Sequence, residues 1–203
     1  MGELCRRRLT AQSKSENNDL VPRTRDIITA EVELWVSPYG GPKKTLIQVL
    51  VDEFNNPDWD TFQSAVAFAS QTGNFPVLLK AMAGFAKRGG HIEMTFGADM
   101  FSGEGGSEYS AIHQLLSTIK KYPRAKMSLY REKGRTFHPK LYLFASKKKK
   151  ARLVVGSSNW GGGGFHRNVE ANVVINLRLS DSSHARFFDR ITKLFSTYWQ
   201  ESQ

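Results

Sequence analysis

The stretch that decides the fold is Phe137 to Ile175, FHPKLYLFASKKKKARLVVGSSNWGGGGFHRNVEANVVI. Around it lie short apolar runs at Phe137 to Phe144, Arg152 to Val155 and Val169 to Leu177, separated by a lysine tract and a glycine tract. Runs of this length between turn-forming residues predict successive strands, and with Lys126 to Tyr130 they read as an antiparallel set. His138 and Lys140 stand two apart in a strand pattern, so both side chains leave the same face. Pro139 between them has no N–H for a ladder, which predicts an edge or an irregular strand there. Ser157 and Asn159 likewise share a face in extended backbone, and hydroxyl and amide groups of this kind hold phosphate oxygens. Gly161 to Gly164 then allow close backbone approach before Asn168 and Glu170 open the next strand.

Upstream the pattern changes. Val32 to Val36 alternates as a strand does, and Thr45 to Phe54 places Leu46, Val49, Leu50 and Phe54 on one helical face. Ser64 to Ser70 suits a buried strand. Pro76 sits in a first helical turn whose helix runs to Gly89, His91 to Phe96 is a strand followed by a Gly-rich loop, and Tyr109 to Tyr122 is a helix ending in lysines. This β-α-β-α-β-α order predicts an α/β fold, a mixed and partly parallel sheet with helices on its faces. Downstream, Ser180 or Asp181 caps a last helix. Its Phe187, Phe188, Ile191, Leu194, Phe195 and Tyr198 recur at helical spacing, with core docking favoured over a dimer surface. Residues 1–25 read as a polar, basic, disordered leader and 26–203 as one domain.

The chain has 203 residues and a net charge of +10, unevenly spread. From Lys120 to Arg152 there are thirteen Lys or Arg against one acid, Glu132. Charge gathered in this way asks for an anionic partner, nucleic acid or an anionic membrane surface. Lys147, Lys148, Lys149 and Lys150 lie in sequence between the two halves of the motif. They are read as either a solvated turn or, with Arg135, cations for a phosphate backbone close to the reacting diester. Trp160 either stacks on a base or packs under the glycine loop, packing being favoured. A single cysteine, Cys5, excludes an intramolecular disulfide, and no paired-cysteine zinc pattern is present. No apolar run reaches the length of a membrane span and no secretory signal is visible, so the expected location is the cytoplasm.

The residue types assemble a phosphoryl-transfer set that calls for neither metal nor cofactor. Imidazole is a nucleophile and proton shuttle, ammonium and amide groups stabilise phosphoryl charge, and a carboxylate orients the imidazole by hydrogen bonding. One histidine cannot be nucleophile and leaving-group acid in the same step. His91, His113, His166 and His184 lack a lysine two residues on. The simplest supplier of a second copy is a second subunit about a two-fold axis.

At these residues the chain resembles the phospholipase D superfamily, and most closely its single-motif nuclease branch, which includes metal-independent restriction endonucleases. The pattern HxKLY is carried by His138, Lys140, Leu141 and Tyr142, S-x-N by Ser157 and Asn159, and N-x-E by Asn168 and Glu170. The resemblance implies a phospholipase D-like domain and a metal-independent nuclease working as a homodimer, with DNA favoured over RNA. It also implies catalytic roles for His138, Lys140, Asn159, Glu170 and Ser157, Glu170 supporting the histidine, with Asn168 beside them in substrate binding. Ala145 stands where the fuller signature has an aspartate. That departure, and the single motif, favour a small dimeric nuclease over a phosphatidyl hydrolase. A non-catalytic nucleic-acid-binding or assembly subunit is the other alternative. No reader module is recognisable, so sequence specificity falls to loops, to the leader or to another protein such as a specificity or helicase subunit.

Overall fold

Among the described residues, seven strands form one sheet in the order β1-β7-β6-β5-β2-β3-β4. The structure, a computed structural model, describes residues 28–37, 45–71, 75–98, 107–132, 134–147, 149–161 and 168–202, so the leader expected at 1–25 lies outside the described residues. In chain order the elements are β1 (Glu31–Ser37), α1 (Leu46–Asn55), β2 (Thr61–Val66), α2 (Phe75–Lys87), β3 (His91–Gly97) and α3 (Tyr109–Ile119). They continue with β4 (Ala125–Tyr130), β5 (Lys140–Ser146), β6 (Lys150–Gly156), β7 (Glu170–Arg178) and α4 (Ser182–Gln200).

The helices α2 and α3 carry the chain back between strands, so β2, β3 and β4 run parallel. β5, β6 and β7 pair antiparallel, as do β1 with β7 and β2 with β5. β4 thus departs from the antiparallel set in which its sequence placed it. A helical crossover precedes it, and that returns the chain to the end where β3 begins. β2 stops at Val66 rather than Ser70, and β5 starts at Lys140 rather than Phe137. Pro139 is the reason for the late start: it has no N–H to pair, and its carbonyl instead accepts from the Ala67 N–H at 2.8 Å. His138 therefore precedes the strand, and only Lys140 sits within it.

Side-chain alternation buries both faces. Tyr142 and Phe144 of β5 pack with the α1–α3 layer, where Phe54 meets Phe62, Phe85 and Phe144 at ring separations of 4.7, 5.5 and 5.2 Å. Leu143 and Ala145 pack on the other face with Leu153, Ile191 and Phe195. The last helix is capped by Asp181, whose carboxylate accepts from the N–H groups of Ser183 at 2.7 Å and His184 at 3.3 Å. Its aromatic stripe docks on the core, with Ile191 and Phe195 buried and Phe187, Phe188 and Tyr198 packed around them.

The register sets the direction of everything functional. Val66 pairs with Lys140, and Leu141 with Val155, so the carboxyl ends of β2–β4, the start of β5 and the end of β6 share one end of the sheet. The turn between β5 and β6 lies at the other end. At about 3.3 Å per residue, a seven-residue strand separates the lysine tract from Lys140 by roughly 20 Å. Lys147, Lys149 and Lys150 are thereby removed from the His138 neighbourhood where the sequence placed them.

Candidate active site

The site begins with an irregular entry into β5. His138 is exposed and Lys140 is buried. The Lys140 ammonium lies 2.9 Å from Nε2 and 3.0 Å from Nδ1 of the imidazole, and it donates to the His138 carbonyl at 3.2 Å. One cation thus holds both the ring and the backbone of the residue it serves. Phe68 completes the arrangement: its ring meets the imidazole edge to face at 5.8 Å, and the ammonium lies 5.9 Å from its centroid. Sequence reasoning missed Phe68, reading it as one more apolar position in a buried strand. Its only signal was its place just past the carboxyl end of β2.

Burial lowers the pKa of Lys140, and the nearby charge of Glu170 opposes that shift. Glu170 opens β7 and is itself buried. Its two oxygens accept from the Ser157 hydroxyl and from Asn168 Nδ2, the latter at 3.1 Å. No hydrogen bond joins Glu170 to His138, so the carboxylate acts on Lys140 through space and does not clasp the imidazole as the sequence implied. Ser157 is likewise reassigned. Its one O–H is given to Glu170 while its oxygen accepts from the Ala171 N–H at 3.1 Å, which leaves no donor for a phosphate.

The turn after β6 is built to stay put. Gly156 allows the close approach to β7 that this requires, since a Cβ there would stand 2.4 Å from the Ala171 carbonyl oxygen. The Tyr142 hydroxyl donates to the Ser158 carbonyl at 2.9 Å, and Asn172 Nδ2 donates to the Ser158 hydroxyl at 2.9 Å. Burial, then the Glu170 charge, push the Tyr142 phenol well above its usual pKa, so it remains a donor. Next in the chain is Asn159, half-exposed, whose Oδ1 is buried with no hydrogen-bond partner among the described residues. Trp160 then anchors the turn, its backbone N–H donating to the Phe68 carbonyl at 3.1 Å. The structure therefore brings His138, Lys140, Asn159, Glu170, Ser157 and Asn168 to one end of the sheet.

Of the remaining predicted residues, Trp160 and Arg135 lie at this end of the sheet and the lysine tract at the other. Trp160 is fully buried against Tyr142, Phe62 and Phe96, so it packs under the site and offers no face to a base. Arg135 is exposed and ion-paired with Glu132 at 3.2 Å. Lys150 pairs with Asp58 at 2.7 Å at the far end, and Lys148 lies outside the described residues. Among the described residues, no group of three or more His, Cys, Asp or Glu side chains is placed to hold a metal ion.

Residues 60–199 match the family model described as "Cardiolipin synthase, PLD-like domain". The chain belongs to the phospholipase D superfamily. Among solved structures, this phospholipase D-like chain is similar to Nuc, a phospholipase D family member from Salmonella typhimurium, at 15% identity and a TM-score of 0.56, covering 86% of this chain and 97% of that one. NucT from Helicobacter pylori gives 15% identity and a TM-score of 0.56, covering 86% and 98%. A phosphatidylserine synthase from Haemophilus influenzae matches at 12% identity and a TM-score of 0.55, covering 86% of this chain and 39% of that one. No curated protein matches the chain. Likeness at these identities establishes a shared fold, and the chemistry has to be argued from the site.

Proposed function

We propose that the chain is a metal-independent phosphodiesterase that cleaves nucleic acid, DNA in the first place, as a homodimer with one composite site. The observation that carries this reading is the His138 imidazole set against the Lys140 ammonium at the carboxyl ends of the parallel strands, with the Glu170 carboxylate behind the lysine. His138 of one subunit attacks phosphorus, forming a P–N bond as the P–O bond to the leaving oxygen breaks. His138 of the other subunit, as imidazolium, gives that oxygen its proton. The second histidine then takes a proton from water, whose oxygen attacks phosphorus and breaks the P–N bond, restoring the first imidazole and the second imidazolium. Lys140 and Asn159 face the charge that develops on the nonbridging oxygens. Ser157 and Asn168 hold Glu170, and Glu170 favours the charged form of Lys140.

Two features support the second subunit. Only His138 carries a lysine two residues on. Next to Glu170, Val169 at the mouth of β7 is exposed, and further along the edge strand β1 exposes Val32 and Leu34 opposite Ile175 and Val173. A copy seated over Val169 would bring one half-site to the other. The deciding experiment is a cleavage assay on single- and double-stranded DNA and RNA in EDTA. Cleavage that survives chelation and disappears in His138→Ala is the expected result. Cleavage unchanged in that variant would end the reading, and no cleavage of any substrate by the wild type would favour a non-catalytic binding subunit.

A further inference from the structure

The lysine tract is the sequence feature that the site does not use. Folding carries it to the end of the sheet opposite His138, where it lines a groove of about 720 Å³. One wall comes from the β5–β6 turn with Lys147, Lys149 and Lys150, and the other from the loops before β3 and β4 with Arg88 and Arg124. Asp58 and Asp60 are the acids of the lining, and both are engaged. Asp58 accepts from Lys150 at 2.7 Å, and Asp60 Oδ2 accepts from the Lys147 backbone N–H at 2.8 Å. Lys147 and Lys149 are exposed, with no side-chain salt bridge among the described residues. Arg124 spends one donor on the Gly89 carbonyl at 2.8 Å, leaving most of its five N–H groups.

Part of this charge has a structural duty. Arg88 donates to the carbonyls of Phe54 and Asn56 at the end of α1, and Lys150 lies over Trp59 at 4.9 Å. That duty does not account for the exposed lysines, and the cations outnumber the acids by five to two. Their arrangement also selects among anions. A single phosphate needs donors converging on one point, whereas these cations are spread along both sides of an open groove, which suits successive phosphates of a strand. A membrane would call for exposed apolar residues among the cations, and the one aromatic here, Trp59, is buried.

We propose that this groove is a second nucleic-acid-binding site, holding the phosphate backbone at the end of the sheet remote from His138. It rests on the nucleic-acid reading of the substrate, yet its test needs no cleavage. Lys147 has a backbone φ of 26°, so Lys147→Gly removes the charge without adding strain. Full-length His138→Ala protein is titrated, across a range of salt, into a fluorescein-labelled duplex of about 30 base pairs, long enough at about 3.4 Å per pair to reach both ends of the sheet. Adding Lys147→Gly and Lys149→Ala is expected to raise Kd about tenfold and to lower the salt slope by about 2, one for each phosphate no longer neutralised. An unchanged thermal melt shows that the fold has survived. Unchanged affinity and slope overturn the proposal. So does loss of binding to phosphatidylglycerol vesicles with duplex binding intact, which would make the groove a lipid-binding surface. A wild type that binds through the groove but cuts nothing would sink the catalytic reading and leave this one standing.

Discussion

At the scale of single residues, the site is governed by a lysine that the fold makes less basic and a carboxylate that makes it more so. Burial lowers the Lys140 pKa and the Glu170 charge raises it, with burial the larger effect. In the proposed reaction Lys140 works as an ammonium, so activity should be lost as pH rises through its pKa, with that alkaline limb below the ordinary lysine range. Glu170→Gln removes the opposing charge and keeps the shape. The limb then moves to lower pH, while Ser157→Ala, which retains the carboxylate, moves it less. A pH profile of kcat/KM for the two variants checks this; an alkaline limb that stays in place in Glu170→Gln would show that the carboxylate acts only as a structural anchor for Ser157 and Asn168. None of this coupling was legible in the sequence. N-x-E announced Glu170 and S-x-N announced Ser157, but which acceptor the serine would serve depends on the approach of β6 to β7, and hence on Gly156 and the sheet register.

At the scale of elements, β5 supplies the site twice, through Lys140 at its start and Tyr142 two residues on. Tyr142 is fully buried, and its hydroxyl fixes the turn carrying Asn159. Tyr142→Phe keeps the ring and strands the Ser158 carbonyl in the interior, a loss of roughly 1–3 kcal/mol. Chemical denaturation should show that loss, with kcat reduced more than KM because Asn159 is no longer held in place. Stability unchanged from wild type would mean that the turn finds another donor. The elements themselves were largely readable: the apolar periods predicted every strand and helix to within a few residues, and Asp181 was one of two predicted caps. What failed was placement. The lysine tract sits midway between the motif halves in sequence, and only the antiparallel return of β6 on β5 shows that a hairpin tip is the farthest point from both. β4 was misassigned for a related reason, since strand direction belongs to the connection and not to the strand.

At the scale of the whole molecule, the two halves of the sheet serve different ends. The parallel strands have their carboxyl ends at the site, while the antiparallel half supplies Lys140, Asn159 and Glu170 and ends in the edge strand β1. This geometry makes the composite site testable by counting. If each dimer has one reaction centre that needs His138 from both subunits, a mixture of wild type with His138→Ala is active only in the wild-type pairs. With subunits exchanged to equilibrium at equal amounts, those pairs are about a quarter of all dimers. Activity per total dimer should therefore fall to about a quarter of that of pure wild type, and should follow the square of the wild-type fraction as the ratio is varied. A linear dependence, with about half the activity at equal amounts, would mean that each subunit works alone. His138 would then need its leaving-group acid from its own chain, and the exposed Val169 beside Glu170 would need another partner.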